Sequence, residues 1–340
     1  MNVLATLVLR YCGIALIASV ASSSALGQFM SNGNYVPERD GSLKDLVSTA
    51  NYFGDENGKP YILEHDRKGK RSIYSPIAVV TTDKEILIGN RKSRGSGNAF
   101  LVSPCYALTN QHVVFGTANP IEIGKEKVKT YTVTMTLVDE NDSMTKKIKA
   151  TPVDFGAFNF DSETPNRMND WALLKLDDCW GRKIGWVEPW STGDAVPFGL
   201  PAHGSFYPNG IPSDTMTTAI PCKLLYEHDG HEGTVWINNC SARPGSSGSP
   251  IFLITGGIPK AVAIQSASFG EQSAVIPYSD ERGNIAIDMS LIYFAVQIHV
   301  LPDLATYRSK YARDYLRQRG AEMPEDYNPA YDLEGPLKVK

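Results

Sequence analysis

From Ile73 onward the chain is a succession of short apolar runs, rich in β-branched and aromatic residues and separated by turn-forming residues. IAVVTT, EILIG, NAFLV, YALTN, YTVTMTLV, KIKATPV, WALLKL, TVWIN, PIFLI and KAVAIQS are the clearest of them. Many short strands at such spacing predict an all-β sandwich or barrel. No internal repeat and no glycine-rich phosphate loop interrupts the pattern. Only near the end does the period change. In DLATYRSKYARDYLRQRG, residues 303–320, Leu304, Tyr307, Tyr311, Tyr315 and Leu316 fall at helical spacing and Gly320 provides a stop. This predicts an amphipathic helix docked on the body, followed by a loose polar tail.

The region before Ile73 reads differently. Arg10 is the only charged side chain among the first 27 residues, and it precedes the apolar run YCGIALIASVA. That run has the length of a signal-peptide core and is too short to span a bilayer. Ala25 and Gly27 then occupy the small-residue positions before Gln28, so residues 1–27 are expected to be a signal peptide. Residues 28–72 are polar and turn-rich and end in the basic stretch HDRKGKRS. They read as a leader or surface arm, with a basic stretch that a protease could cut, and equally well as a solvated loop.

Composition narrows the function classes. Hydrophobic residues make up 42%, charged residues 21%, and the formal net charge is −4. This balance is that of a soluble globular protein and offers no basic groove for nucleic acid and no polybasic membrane patch. Removing the signal leaves Cys105, Cys179, Cys222 and Cys240, an even number in an exported chain. CKLLYEHDGHEGTVWINNC reads as strand, polar turn and strand, with its midpoint near Gly230 and His231. Folded as a hairpin it sets Cys222 opposite Cys240, which leaves Cys105 to pair with Cys179.

Candidate chemistry starts at RPGSSGSP, residues 243–250, just ahead of the apolar run IFLI. A serine hydroxyl needs an imidazole to take its proton and a carboxylate to orient that imidazole. It also needs backbone N–H groups aimed at the developing oxyanion. Gly245, two residues before Ser247, lets the chain aim two such groups into one small space; Gly248 lets it leave the turn, and Pro250 opens a strand. His112, in CYALTNQHVVFG, stands just after an apolar strand. Asp170, in NDWALLKLDD, stands directly before one, and ranks above Asp177 and Asp178 at that strand's far end.

Together GNAFLVSPCYALTNQHVV, DWALLKL and PGSSGSPIF resemble the chymotrypsin-like (trypsin-fold) serine peptidases. The order His, Asp, Ser, with separations of roughly 58 and 77 residues, is that family's order. TN-x-HVV and GxSGSPxF are more similar to the bacterial glutamyl endopeptidase-like branch. The resemblance covers about residues 73–300. It implies two antiparallel six-stranded β-barrels, at 73–185 and 186–300, with the site between them and a helical extension and tail over 301–340. It makes His112 the general base, Asp170 its orienter, Ser247 the nucleophile, and the N–H groups of Gly245 and Ser247 the oxyanion hole. It sets Ser241 and Ala242 at the floor of the substrate pocket and Gln265, Ser266, Ala267 and Ser268 along its wall. No acid stands at the floor, and Gln265 stands where glutamyl-specific members carry histidine, so the expectation is a small polar pocket. Ser246 replaces the aspartate that captures a freed N-terminus in the chymotrypsin group proper, and Val113 replaces a cysteine beside the histidine.

The expectation is an exported serine endopeptidase, secreted or periplasmic, monomeric, acting on polypeptides. It needs no cofactor or metal, binds no nucleic acid and does not stay inserted in a membrane once the signal is removed. The alternative is a secreted binding or adhesion protein on the same fold with little or no catalysis. His228 and His231, beside Asp229 and Glu232, read as solvated hairpin-tip residues rather than metal ligands. Trp171, Trp180, Trp186 and Trp190 read as packing residues, and His65, His203 and His299 have no partner legible in the sequence. A lipase or esterase of the α/β-hydrolase class places its histidine last and a helix after its serine, and neither holds here.

Overall fold

A computed structural model of the chain describes residues 62–66, 76–82, 86–88, 91–93, 95–116, 120–123, 128, 131–139, 144–158, 166–191, 199, 201–206, 215–230, 233–242, 245–255, 258–268 and 283–306. The expected signal peptide, most of the expected leader, and Tyr307, Tyr311, Tyr315 and Leu316 lie outside these residues.

The strands, in chain order, are β1 (Ile62–Asp66), β2 (Ile77–Thr82), β3 (Ile86–Ile88), β4 (Arg91–Ser93), β5 (Ser96–Leu101), β6 (Tyr106–Thr109), β7 (Val133–Asp139), β8 (Met144–Phe155) and β9 (Ala172–Leu176). There follow β10 (Glu188–Pro189), β11 (Pro201–Phe206), β12 (Thr215–Gly230), β13 (Gly233–Asn238), β14 (Pro250–Thr255), β15 (Ile258–Ser268) and β16 (Asn284–Asp288). Six of them, in the order β2-β5-β6-β9-β8-β7, close into a barrel. In β7 the alternation of Val133, Met135 and Leu137 with polar residues sends those three into the core, fully buried. Closure leaves none of these six strands with an unpaired edge. Pro152 lies at a register shift in β8, where a missing N–H costs least.

The later strands form an eight-stranded sheet in the order β1-β12-β11-β14-β15-β16-β13, with β10 added in parallel beside β15. β12 also pairs with β13, so the pairing returns on itself around six of these strands. The β12–β13 hairpin is the one read from the sequence, with Gly230 opposite Gly233 and Cys222 disulfide-bonded to Cys240. Cys105 is bonded to Cys179. β1 falls in the stretch read as leader or arm. Its backbone pairs antiparallel with β12, Ile62 opposite Ala219, so this part of the stretch is an edge strand of the second sheet.

The final helix is Met289–Thr306, so it begins well before the expected 303. Met289, Ile292, Val296, Val300 and Leu304 recur at three- and four-residue spacing and are buried in the main core. The opposite face carries Leu291, Phe294 and Ile298, all exposed. With apolar residues on both faces, the run LIYFAVQIHV has no amphipathic contrast, and its helical period is hidden in the sequence. Asp303 fastens the helix to the first barrel. Its carboxylate accepts from Ser103 Oγ at 2.8 Å and from the Cys105 N–H at 3.3 Å. His299, without a legible partner in the sequence, packs its ring at a tilt against Tyr106 and has Nε2 3.4 Å from an Asp154 carboxylate oxygen. All four named tryptophans are buried. Among the described residues no helix is long and apolar enough to cross a membrane.

Burial pushes the Asp303 carboxyl above its ordinary range, against the pull of its bonds to Ser103 and Cys105 and of the nearby Arg182 and Lys175 charges. The folded protein therefore keeps this proton to higher pH than the unfolded chain. Its contribution to stability is complete below the unfolded carboxylate value of about 3.9 and is lost as pH rises through the raised folded value. Asp303→Asn mimics the protonated acid. Thermal unfolding of both proteins from pH 4 to pH 8 is expected to show the difference in Tm moving in favour of the variant as pH rises. A constant difference, or one moving the other way, would refute this reading of Asp303.

Candidate active site

The turn between Gly245 and Pro250 is shaped by two glycines at positive φ, Gly245 at 93° and Gly248 at 83°. A side chain is strained at such angles. At Gly248 there is also no room for one, because a Cβ would lie 2.0 Å from the Asn98 carbonyl oxygen and 2.4 Å from Thr109 Oγ1. The turn is hydrogen-bonded on all sides. The Ser247 carbonyl accepts the Asn98 N–H at 2.7 Å, and the Gly248 N–H donates to the Gln265 carbonyl at 2.9 Å. The Ser249 N–H donates to the Ser246 carbonyl at 3.0 Å. Asn98 Nδ2 donates to the Gly245 carbonyl.

His112 stands on a short helix, Gln111–Phe115, that follows β6. Gln111, Val113, Val114 and Phe115 are buried, which pins the helix and leaves the His112 ring as the partly exposed side chain among them. The Gln111 amide donates to the Phe158 carbonyl at 2.7 Å and accepts the Phe158 N–H at 3.0 Å. Gly97 lets the helix and the serine turn come together. A Cβ there would meet Val113 Cγ2 at 2.6 Å and the Ser247 carbonyl oxygen at 2.7 Å. Val113, noted in the sequence only as a missing cysteine, fills this space.

Asp170 follows a single 3-10 turn, Arg167–Asn169, and is completely buried. One carboxylate oxygen lies 2.7 Å from His112 Nδ1 and accepts from Ser266 Oγ at 2.7 Å. The other accepts the His112 backbone N–H at 3.0 Å. Asn110 Nδ2 donates to the Asp170 carbonyl at 2.8 Å. Burial alone would push this carboxyl up. The His112 charge and hydrogen bond, the Arg167 guanidinium and the Ser266 hydroxyl outweigh it and hold the carboxyl below its ordinary range. A carboxylate at Nδ1 favours the tautomer with its proton there, which makes Nε2 the basic nitrogen.

Ser266 links the carboxylate to the serine. Its hydroxyl donates to Asp170, and its carbonyl accepts from Ser247 Oγ at 3.2 Å. The Ser247 hydroxyl is thus bonded to Ser266, and transfer of its proton to the imidazole needs that bond to give way. Catalytic hydrogen bonds are often loose before substrate arrives.

Of the other expected site residues, Ser241 and Ala242 are buried. Gln265 is buried as well, and its amide donates to the carbonyls of Ala267 and Ile285 at 3.0 and 3.2 Å, so it is engaged within the sheet. Ser268 ends β15, paired with Asn284. Two buried amides not singled out in the sequence, Asn238 and Asn284, stitch the Cys240 segment to this sheet. Cys240 donates to Asn238 Oδ1 at 3.1 Å, and Asn284 Nδ2 donates to the Cys240 carbonyl at 2.7 Å. His228 lies in β12 opposite Val235, and His231 lies outside the described residues.

Because the Asp170 carboxyl is held below its ordinary range, its contribution to stability is complete above the unfolded value of about 3.9 and is lost as pH falls through the lower folded value. Asp170→Asn is expected to flatten the acid side of the Tm profile, so that the wild-type advantage shrinks between pH 5 and pH 2. An advantage that persists undiminished at the acid end would contradict the reading.

Residues 95–258 match the family model described as Trypsin-like peptidase domain. No curated protein matches the chain. His112, Asp170 and Ser247 all fall within the matched residues.

Proposed function

We propose that the protein is an exported serine endopeptidase. The observation that carries the reading is the grip of one buried carboxylate on both the ring and the backbone of His112, with the Ser266 hydroxyl holding that carboxylate from a distant part of the chain. In this mechanism His112 Nε2 takes the proton of Ser247 as Oγ attacks a peptide carbonyl. The negative oxygen that forms is received by the N–H groups of Gly245 and Ser247. His112 then gives its proton to the departing amine and leaves an acyl-enzyme, which water activated by the same imidazole hydrolyses. Asp170 stays ionised throughout and stabilises the imidazolium.

The closed first barrel and the self-returning pairing of the second sheet support a two-barrel frame with the site at their junction. Export is supported by the signal-like N-terminus and by two disulfides, which persist in oxidising compartments. The bond from Ser247 Oγ to Ser266 favours the alternative of a binding protein on this frame, because it occupies the hydroxyl proton away from the base.

Intact-mass labelling with a fluorophosphonate separates the two. The endopeptidase reading expects one adduct that disappears in Ser247→Ala. It also expects Ser247→Ala and His112→Ala each to lower turnover of a denatured protein substrate by roughly 10,000-fold or more, with unfolding temperatures near that of the wild type. No adduct on the folded wild-type protein would sink the enzymatic reading and favour the binding protein.

A further inference from the structure

Three successive carbonyls around Ser247 are held in place. That of Gly245 accepts from Asn98 Nδ2, that of Ser246 from the N–H and hydroxyl of Ser249, and that of Ser247 from the Asn98 N–H. In a trans peptide the C=O and the following N–H point in opposite directions. Holding the Ser246 carbonyl therefore fixes the direction of the Ser247 N–H. Asn98 grips the carbonyls on either side of that peptide, one through its side chain and one through its backbone.

Asn98 is itself immobilised. It is fully buried in β5, and its carbonyl accepts from Thr109 Oγ1 at 2.6 Å. The same carbonyl lies against Gly248, where not even a methyl group fits. We propose that Asn98 is a positioning residue for the nucleophile turn: its amide sets the Gly245–Ser246 peptide, which stands between the two peptides that carry the Gly245 and Ser247 N–H groups and so fixes their aim, relative to each other, at the substrate oxyanion. This rests on the serine-peptidase reading and adds to it a residue outside the His-Asp-Ser set. Removing an oxyanion donor outright costs about 100- to 1000-fold in rate, and loosening the turn that aims the donors is expected to cost about 10- to 100-fold.

The test compares wild type, Asn98→Ala and Asn98→Leu. The leucine has nearly the shape of asparagine and no proton to donate. Three quantities are measured: the rate constant for fluorophosphonate labelling, the acylation burst with p-nitrophenyl acetate, and the ³¹P resonance of the phosphonyl-Ser247 adduct, whose oxygen reports on the N–H donors. Both variants are expected to acylate about 10- to 100-fold more slowly at saturating ester, with an unchanged saturation constant and a displaced ³¹P line. A merely structural role would lower the unfolding temperature and leave the ³¹P line of the folded fraction in place. Labelling within about twofold of wild type and an unmoved line would overturn the proposal. If both variants fail to fold, Thr109→Val, which releases the Asn98 carbonyl, carries the same test: slower acylation with a displaced line supports it, and unchanged values overturn it. A wild-type protein that does not label removes the peptidase reading and this inference together, whereas equal labelling of wild type and variants removes only the inference.

Discussion

A negative charge sealed from water is the constraint on which the site depends. An isolated carboxylate in such a place would take up a proton, since the penalty for burying the ion is several kcal/mol even after relaxation. Asp170 stays ionised because its partners arrive from separate parts of the chain. They are the ring and backbone of His112 from the helix after β6, the hydroxyl of Ser266 from β15, and the guanidinium of Arg167 from the turn just before it. His112 belongs to the first barrel's part of the chain and Ser266 to the second sheet. The charge is satisfied only when both parts are in place, so it acts as a check on their assembly.

The second constraint is space. The helix bearing His112, strand β5 and the serine turn approach until neither Gly97 nor Gly248 can carry a Cβ. Contact this close lets backbone groups bond directly, Asn98 to Ser247 and Gly248 to Gln265, and needs no long side chain to bridge them. The motif TNQH shows how densely the roles are packed. Thr109 holds Asn98, Asn110 holds the Asp170 carbonyl, Gln111 clamps Phe158, and His112 meets the carboxylate.

Legibility in the sequence followed from how local each signal is. The strands and the Cys222–Cys240 hairpin could be read because apolar runs and a polar turn are properties of neighbouring residues. The helix Met289–Thr306 could not, because Leu291, Phe294 and Ile298 blur its faces. β1 was hidden in a polar stretch because its place rests on backbone pairing with a distant strand. Ser266 and Gln265 were both read as pocket wall, on a resemblance that gives position along the strand. Their hydrogen bonds direct one to Asp170 and the other into the sheet. Asn98, inside the run NAFLV, looked like an ordinary strand residue, and only the folded turn opposite it gives its amide an acceptor.

The pairing of β1 with β12 also orders events in time. Ile62 meets Ala219, so 157 residues (219 − 62) separate the two partners. At synthesis rates of about 5–20 residues per second, β1 leaves the ribosome roughly 8–30 s before the strand it pairs with. By the end of that interval the first barrel has all of its strands available, while β1 still awaits β12. The first of the described strands to be made is thus seated only after all of the first barrel's strands, and its docking reports that β12 has been made.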